Sequence, residues 1–469
     1  MLAHQAFRFE LDPSDRTRSA LASHCGASRF AYNWGLGLVN ERIERRDRAR
    51  SEALKELLSD DEAEELARRV EVPWTLPALR REWNRDKHVV APWWKENSKE
   101  SYSSGLDALA RALKNFSESK RGTRTGASVG FPHRKKRWAR RSCRFTTGAI
   151  AVVDDRHIQL PRVGTIRTKE PTVKLRRLLD RGRARILSVT ISEEAGRWFA
   201  SFTCEVERED PTATQPTAVV GIDLGVKHLA VVSTGEVVER PTALFRYERR
   251  MRRLQRAASR RQKGSRRRAR TRTRLARCHR KVANTRRDVL HQLTTRLATT
   301  YGTVVVEDLH VAGMTAAPKP AENGDGSYAH NGARRKASLN RAILDASPAE
   351  LRRQLTYKLA WHGGRLVVAD RWFPSSKTCS ACGEVKAKLP LAERTYRCEH
   401  CGLVVDRDLN AALNLAAYGQ RVVAVSGTET QNARGGGHPR LRPKPPVKRE
   451  DGSGQPGGTV TVSSQGEAA

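Results

Sequence analysis

Two pairs of cysteines constrain the fold of this chain more than any other feature. Two CxxC motifs, Cys379 with Cys382 and Cys398 with Cys401, are separated by fifteen residues. A glycine directly follows each motif, as is common in the turns that direct two thiolates toward one centre. Four thiolates complete a tetrahedral zinc site and leave no position for water. The spacing therefore predicts a small ribbon held by one structural zinc ion.

Two other interpretations of these cysteines stay open: a pair of redox dithiols, or chance spacing. Disulfide bonds are not expected, because the N-terminus has neither the apolar segment nor the cleavage site of a secretory signal. The sequence thus predicts a reducing, cytoplasmic location, in a prokaryote and in association with the nucleoid. His400, inside the second motif, is interpreted as a bystander. The remaining cysteines have no ligand spacing and are predicted to be buried apolar residues: Cys25, Cys143, Cys204 and Cys278.

A large excess of positive charge indicates the class of partner. The chain has 88 Lys and Arg residues against 51 Asp and Glu residues, a formal net charge of +37. Such a charge repels itself unless an anionic partner covers it. No apolar run reaches the roughly 18 residues that cross a bilayer. The predicted partner is therefore nucleic acid and not a membrane.

The basic residues are concentrated in two segments. About half of residues 249–287 are Arg or Lys, and this segment predicts a basic helical stretch that contacts a phosphate backbone, in particular through Arg266, Arg267 and Arg268. A solvated charged helix is the alternative. Residues 121–143 are Gly-rich and then basic. They predict a loop that contacts phosphate, with Lys135 and Lys136 as candidates.

Three acids lie where an acid is costly to hold. Asp223 and Glu307 each end an apolar strand pattern, in VVGIDLG and TVVVEDL, and Asp408 begins a helix pattern just after the second CxxC motif. Carboxylates that converge from several elements can hold the two Mg²⁺ ions of a phosphodiester-cleaving site. The order Asp, Glu, Asp fits an RNase H-like nuclease. For Asp408 alone a helix N-cap is the alternative, and Asp406 is the other candidate ligand.

Several motifs together resemble one family, the TnpB (OrfB) proteins of insertion sequences, which are similar to type V CRISPR effectors. The motifs are GIDLGVKHLAVVS, VVVEDL, FPSSKTCSACG, the second CxxCG and DRDLNAALN, after FRFELDPS, SRFAYNWGL and GFPHRKKR in the N-terminal half. The resemblance covers about residues 5–420. It implies that Asp223, Glu307 and Asp408 are the catalytic acids, with Mg²⁺ as the catalytic metal.

The resemblance also implies an α/β multidomain fold. A wedge-like β-barrel with a helical recognition insertion precedes an RNase H-like (RuvC) nuclease domain that contains the zinc ribbon. The predicted segments are the barrel at 1–210 with its insertion at about 20–125, the nuclease part at 215–375 with a bridging helix at 249–287, the ribbon at 376–403, the last nuclease segment at 404–424 and a disordered tail at 425–469.

The function that the resemblance implies is RNA-guided cleavage of double-stranded DNA beside a short transposon-adjacent motif. The guide RNA would be copied from the transposon end, and a transposase encoded nearby is a further candidate partner. Two alternatives remain: a nuclease-inactive, RNA-guided DNA-binding regulator and a structural RNA-binding protein of the ribosomal type. The presence of all three acids argues against both.

Overall fold

The computed structural model describes residues 2–432 except 57, 58, 210, 242, 321, 325, 329, 330 and 391. It contains two units, Met1–Gly419 and Gln420–Ala469. In the second unit the described residues, 420–432, are helical. In the part of the chain that is described, no helix is long and apolar enough to cross a membrane.

Seven strands of the N-terminal half form two antiparallel sheets around one core. The strands are Leu2–Leu11 (β1), Ser142–Phe145 (β2), Ala151–Val152 (β3), His157–Leu160 (β4), Gly164–Arg167 (β5), Ala184–Glu194 (β6) and Arg197–Glu207 (β7). The sheet orders are β1-β7-β6-β2 and β3-β4-β5. Alternate residues of both sheets, such as Phe145, Ile158 and Phe202, enter the shared core. One isolated bridge, Leu11 with Thr168, joins β1 to the segment after β5.

Four helices and a short 3₁₀ turn lie between β1 and β2. They are Asp15–Lys55 (α1), Asp60–Arg68 (α2), Leu76–Val90 (α3), the turn at Pro92–Glu96, and Lys99–Lys120 (α4). Each α-helix begins after a Ser or Thr whose side chain accepts a backbone N–H of the first turn: Ser14, Ser59, Thr75 and Ser98. Leu36, Leu79 and Leu106 are fully or almost fully buried where the helices meet, so this segment has its own apolar core.

A five-stranded mixed sheet dominates the second half, in the order β10-β9-β8-β11-β12. Its strands are Gln215–Asp223 (β8), His228–Val232 (β9), Val237–Glu239 (β10), Tyr301–Glu307 (β11) and Arg365–Ala369 (β12). Strands β8, β11 and β12 are parallel. Both faces of the sheet are covered, which explains why these strands are continuous apolar runs.

One further helix of the N-terminal half, Val173–Asp180 (α5), contributes Leu175 to the core of the two antiparallel sheets. The helices of the second half are Ala243–Arg260 (α6), Arg266–Thr300 (α7), Val311–Met314 (α8), Ala333–Ala346 (α9), Pro348–Trp361 (α10) and Arg407–Asn432 (α11). Helices α7, α10 and α11 cover the two faces of the five-stranded sheet. On one face, Leu293 of α7 and Leu355 of α10 pack with Val304. On the other face, Leu415 of α11 packs with Val305. The strands Thr395–Arg397 (β13) and Val404–Asp406 (β14) form a separate hairpin.

The single basic helix predicted at 249–287 is wrong: this segment contains a helix hairpin. Helices α6 and α7 are separated by residues 261–265, where Gly264 has a φ of +89° and Ser265 caps α7. The two helices pack through a small apolar interface that includes Met251, Cys278 and Val282. The break therefore allows both helices to bury one narrow face while most of their arginines stay exposed.

The disordered tail predicted from residue 425 is wrong for its first residues, because helix α11 continues to Asn432. The remainder of that predicted tail, 433–469, lies outside the described residues.

Candidate functional site

Strand register brings Asp223 and Glu307 to one edge of the sheet. In the parallel ladder of β8 and β11, Ile222 pairs with Val306, and each acid is the next residue. Glu307 also pairs with Ala369, the last residue of β12. The carboxyl ends of three parallel strands therefore meet at the position where an open α/β sheet commonly binds its ligands.

Helix α11 brings Asp408 to the same edge because a glycine allows it to lie directly on β8. A Cβ atom on Gly221 would be 2.1 Å from the carbonyl oxygen of Ala412, far inside contact distance. Gly221 lies two residues before Asp223, and Ala412 lies about one helical turn after Asp408. This close packing therefore fixes the position of Asp408 along the direction of strand β8.

The electrostatics of Asp223 show that the acids are close enough to interact. Burial raises the pKa of Asp223 to about 8, together with the negative charges of Glu307 and Asp408, while Arg407 acts in the opposite direction. Among the described residues, neither Asp223 nor Glu307 forms a salt bridge, and Asp408 has only Arg394 at 3.9 Å. The repulsion among these carboxyl groups therefore favours either a proton on Asp223 or a cation bound beside it.

The helix N-cap considered for Asp408 belongs to Asp406. Its carboxylate oxygen accepts the backbone N–H groups of Asp408, at 2.9 Å, and Leu409, at 3.1 Å. Asp408 lies in the first helical turn and is the acid that interacts with Asp223 most strongly after Glu307. The structure thus gives the two acids of this segment different roles.

The four cysteines converge as the spacing predicts. The sulfur atoms of Cys379 and Cys401 are 3.6 Å apart, as are those of Cys382 and Cys398. Zinc–sulfur bonds of about 2.3 Å in a tetrahedron would put sulfurs ~3.8 Å apart. Among the described residues, these cysteines are the one group of three or more ligating side chains whose ligand atoms all lie within 4.8 Å of one another. The donor set and spacing therefore fit a zinc ion.

Both cysteine motifs form the same type of turn. The N–H of Gly383 donates to the Cys379 carbonyl at 3.0 Å, and the N–H of Gly402 donates to the Cys398 carbonyl at 3.1 Å. Both glycines have positive φ, +80° and +74°, a region that residues with a Cβ rarely adopt. The glycines after the CxxC motifs are thus required by the turns that direct the sulfurs.

Two buried asparagines, which sequence reasoning missed, attach the acid-bearing helix to this ribbon. Asn410 donates to the Thr378 carbonyl at 2.7 Å and accepts the Ser380 N–H at 3.0 Å. Asn414 donates to the carbonyls of Ser375 and Thr378 at 2.8 and 2.7 Å. The available signal was their spacing of four in DRDLNAALN, which puts two polar amides on one helical face.

Ser375 is a further positioning residue that the sequence did not reveal. Its hydroxyl donates to a carboxylate oxygen of Glu307 at 2.5 Å, while its carbonyl accepts from Asn414. Glu307 and the first turns of the Asp408 helix are therefore connected through one residue of the segment before the ribbon.

The predicted nucleic-acid contacts fall into two groups. Lys136, Arg266 and Arg267 are exposed. Lys135 is partly buried: its backbone exchanges two hydrogen bonds with the Asn33 side chain, and its Nζ lies 3.9 Å from the centre of the Tyr32 ring. Arg268 points inward and donates to the Ala258 carbonyl at 3.1 Å, so it holds the α6–α7 hairpin together and is a weak candidate for a direct phosphate contact.

Comparisons with known proteins can now be set beside this geometry. The OrfB IS605 family model, described as "Probable transposase", matches residues 201–317, and a Cas12f1-like TNB domain model matches residues 349–415. A "Putative RNA-guided DNA endonuclease" of Mycobacterium tuberculosis is 39% identical over 430 residues, covering 88% of this chain and 86% of the relative. The chain belongs to the TnpB (OrfB) family.

Two further matches involve most of this TnpB-family chain. The Escherichia coli relative InsQ is 29% identical over 422 residues, covering 90% of this chain and 93% of InsQ. A solved structure titled "Cryo-EM structure of the Cas12f1-sgRNA-target DNA complex" is 15% identical, has a TM-score of 0.43, and covers 88% of this chain and 99% of that chain.

One family model does not agree with the local structure of the TnpB-family chain. A model described as a helix-turn-helix domain matches residues 1–48. These residues instead contain strand β1 and most of the uninterrupted helix α1. The matched sequence is therefore not folded here as two short helices joined by a turn.

Proposed function

We propose that this TnpB-family protein is an RNA-guided DNA endonuclease that cuts double-stranded DNA by metal-dependent phosphodiester hydrolysis. The observation that carries the proposal is the convergence of Asp223, Glu307 and Asp408, without compensating cations on the first two, at the carboxyl edge of one sheet. The M. tuberculosis relative carries the name "Putative RNA-guided DNA endonuclease".

The donor set fits Mg²⁺, which takes hard oxygen ligands from a few carboxylates. Asp223, Glu307 and Asp408 would hold it, and the chemistry that it would supply there is activation of a water and stabilisation of the leaving oxygen. Ser375 orients Glu307 by its hydrogen bond, and Asp406 fixes the start of the helix that carries Asp408.

The topology supports an RNase H-like (RuvC) assignment for the second half. In the sheet β10-β9-β8-β11-β12, the neighbours β10, β9 and β8 pair antiparallel, whereas β11 and β12 run parallel to β8. This arrangement agrees with that family of nucleases. We extend the proposal to the domain division at 1–210, 215–375, 376–403 and 404–424, in which the two N-terminal sheets are the wedge-like barrel.

Guide RNA and duplex DNA are the proposed partners because the charge of +37 needs polyanions to cover it. In such a system base pairing selects the sequence, and the protein contributes phosphate contacts and the reading of a short adjacent motif. We also propose that the guide derives from the transposon end, with a transposase encoded nearby. A nuclease-inactive regulator is disfavoured because every proposed ligand is present.

The decisive experiment combines the protein, its co-expressed guide RNA and a guide-matched duplex. We expect both strands to be cut in Mg²⁺ and cutting to stop in excess chelator, since the carboxylates alone do not activate water. A scrambled target sequence in the same plasmid is the control. A complex that binds the matched duplex but leaves it intact in Mg²⁺ would establish the regulator instead.

A second experiment tests the RNA partner through the basic hairpin. Reversing Arg266 and Arg267 to glutamate should weaken RNA binding by at least about tenfold. It should also reduce the salt dependence of binding, because fewer counterions are released from the RNA when fewer phosphates are contacted. These arginines lie at the positive end of helix α7, where cations are unfavourable for stability. The measurement is RNA affinity at several salt concentrations, with sequencing of the RNA that co-purifies.

The matched control reverses Arg45 and Arg48, which are exposed on α1. It changes the net charge equally. Equal loss of affinity in both variants, or co-purifying RNA that is a random sample of transcripts, would contradict a specific RNA surface on the hairpin.

A further inference from the structure

Trp372 is the most exposed large hydrophobic side chain in the described part of the chain, with 84% of its surface accessible. Indole is the largest side chain and is usually mostly buried. Its exposure does not come from an unattached backbone, because the Trp372 N–H donates to the Asp370 carboxylate at 2.8 Å. The residue is therefore held in place with its ring directed into solvent.

The segment around Trp372 is attached to the carboxylate cluster on both sides. Strand β12 ends at Ala369, opposite Glu307. Arg371 then forms a salt bridge with Asp308 at 3.0 Å, and Ser375 donates to Glu307 at 2.5 Å. Trp372 thus lies between two residues that contact two consecutive positions at the end of β11.

The neighbours of Trp372 leave its ring available. Phe373 turns inward and packs against Tyr418, with ring centres 5.0 Å apart. For Trp372 itself the described residues provide no aromatic ring contact. Arg371 and Arg352, both half-exposed, converge on Asp308 beside it. A free aromatic face next to cations is the arrangement that binds single-stranded nucleic acid, because bases stack on the ring and phosphates lie near the cations.

We infer that Trp372 stacks on an unpaired base of the DNA strand that enters the carboxylate cluster. In a duplex both faces of each base are covered by neighbouring base pairs, so one indole on a loop can reach the face of an unpaired base only. Stacking would hold the single strand beside the carboxylate cluster, where metal ions held by Asp223, Glu307 and Asp408 would meet its phosphate. Trp372 is a positioning residue in this inference, which rests on the proposed nuclease function.

The test compares Trp372→Ala, Trp372→Phe and, as an exposed aromatic control, Tyr328→Ala, where Tyr328 is 67% exposed between α8 and α9. Two properties are measured on the complex with guide RNA. They are the affinity for a short single-stranded oligodeoxynucleotide carrying 2-aminopurine, without Mg²⁺, and the rate of cutting of a guide-matched duplex, with Mg²⁺. Trp372→Ala should lose about tenfold or more in single-strand affinity and cut correspondingly more slowly at limiting substrate.

Trp372→Phe should retain most of the affinity and still quench 2-aminopurine, whereas Tyr328→Ala should behave as wild type. Binding of the matched duplex should not change in any variant, because it depends on base pairing. If wild type cuts and Trp372→Ala keeps both its single-strand affinity and its cutting rate, the inference about Trp372 is overturned while the proposed function stands. A loss that accompanies a changed oligomeric state would assign Trp372 to a protein contact and overturn it too. No cutting by wild type would instead contradict the proposed function.

Discussion

Replacing Asp223 by alanine should lower guided DNA cutting by about 1,000-fold or more while the matched duplex still binds within about threefold of wild type. Each carboxylate contributes several kcal/mol to binding the metals and the developing charge, whereas target binding depends on base pairing and phosphate contacts. Glu307→Ala and Asp408→Ala should behave alike. Asp223→Asn should be almost as severe, because the amide keeps the shape and loses the charge. The measurement is cutting and binding of one duplex in parallel.

Asp406→Ala is the matched control, because Asp406 lies beside the same site and accepts two N–H groups as an N-cap. Loss of an N-cap costs about 0.5–2 kcal/mol of stability, so we expect a lower melting temperature and at most about tenfold slower cutting. Wild-type cutting by Asp223→Ala would falsify the assignment of the metal site. A larger loss for Asp406→Ala than for Asp408→Ala would exchange the roles of the two acids.

Loss of the zinc ion should lower cutting by about 100-fold, although no cysteine belongs to the proposed catalytic site. Cys379→Ser removes one of four thiolates, and the ribbon depends on the metal for its fold. Asn410 and Asn414 then lose their fixed partners at Thr378 and Ser375, and Asp408 shifts. A misplacement of about 1 Å at a catalytic centre can cost roughly 100-fold. Metal analysis should find one zinc per chain in wild type and a reduced content in the variant.

Cys278→Ala provides the control, since Cys278 is buried between α6 and α7 and has no place among the four ligands. It should retain zinc and cutting. A well-folded wild-type preparation that cuts DNA and contains no zinc would contradict the proposed role of the ribbon. Cutting by Cys379→Ser at the wild-type rate would show that the asparagine contacts do not position Asp408.

The sequence was sufficient where a short pattern determines the local structure. Asp223 and Glu307 follow apolar runs whose parallel pairing puts strand ends together, and the CxxC spacing leads to a cysteine cluster. The hairpin of α6 and α7 was missed for a physical reason. Its apolar positions, including Met251 and Cys278, are separated by many arginines, so the sequence shows no clear apolar helical periodicity. The turn depends on Gly264 and on the cap residue Ser265.

The positioning contacts could not be predicted in the same way. Ser375, Asn410 and Asn414 act through hydrogen bonds to segments that are distant in sequence from their partners, so no local pattern contains them. The choice between Asp406 and Asp408 as the N-cap depends on where α11 begins, and either residue has the composition for it. Only the three-dimensional structure identified these hydrogen-bond partners and the N-cap residue.

The place of α11 in the chain has a consequence for biosynthesis. Residues of β8 and β11 are synthesised before the ribbon, and the Asp408 carboxylate comes after it, on the helix that packs over Gly221. A nascent chain therefore contains its basic hairpin, α6 and α7, before it contains the third carboxylate. If the three acids are the catalytic set proposed above, a chain at that stage could bind RNA but could not yet hydrolyse DNA, and the capacity to damage the genome would come last.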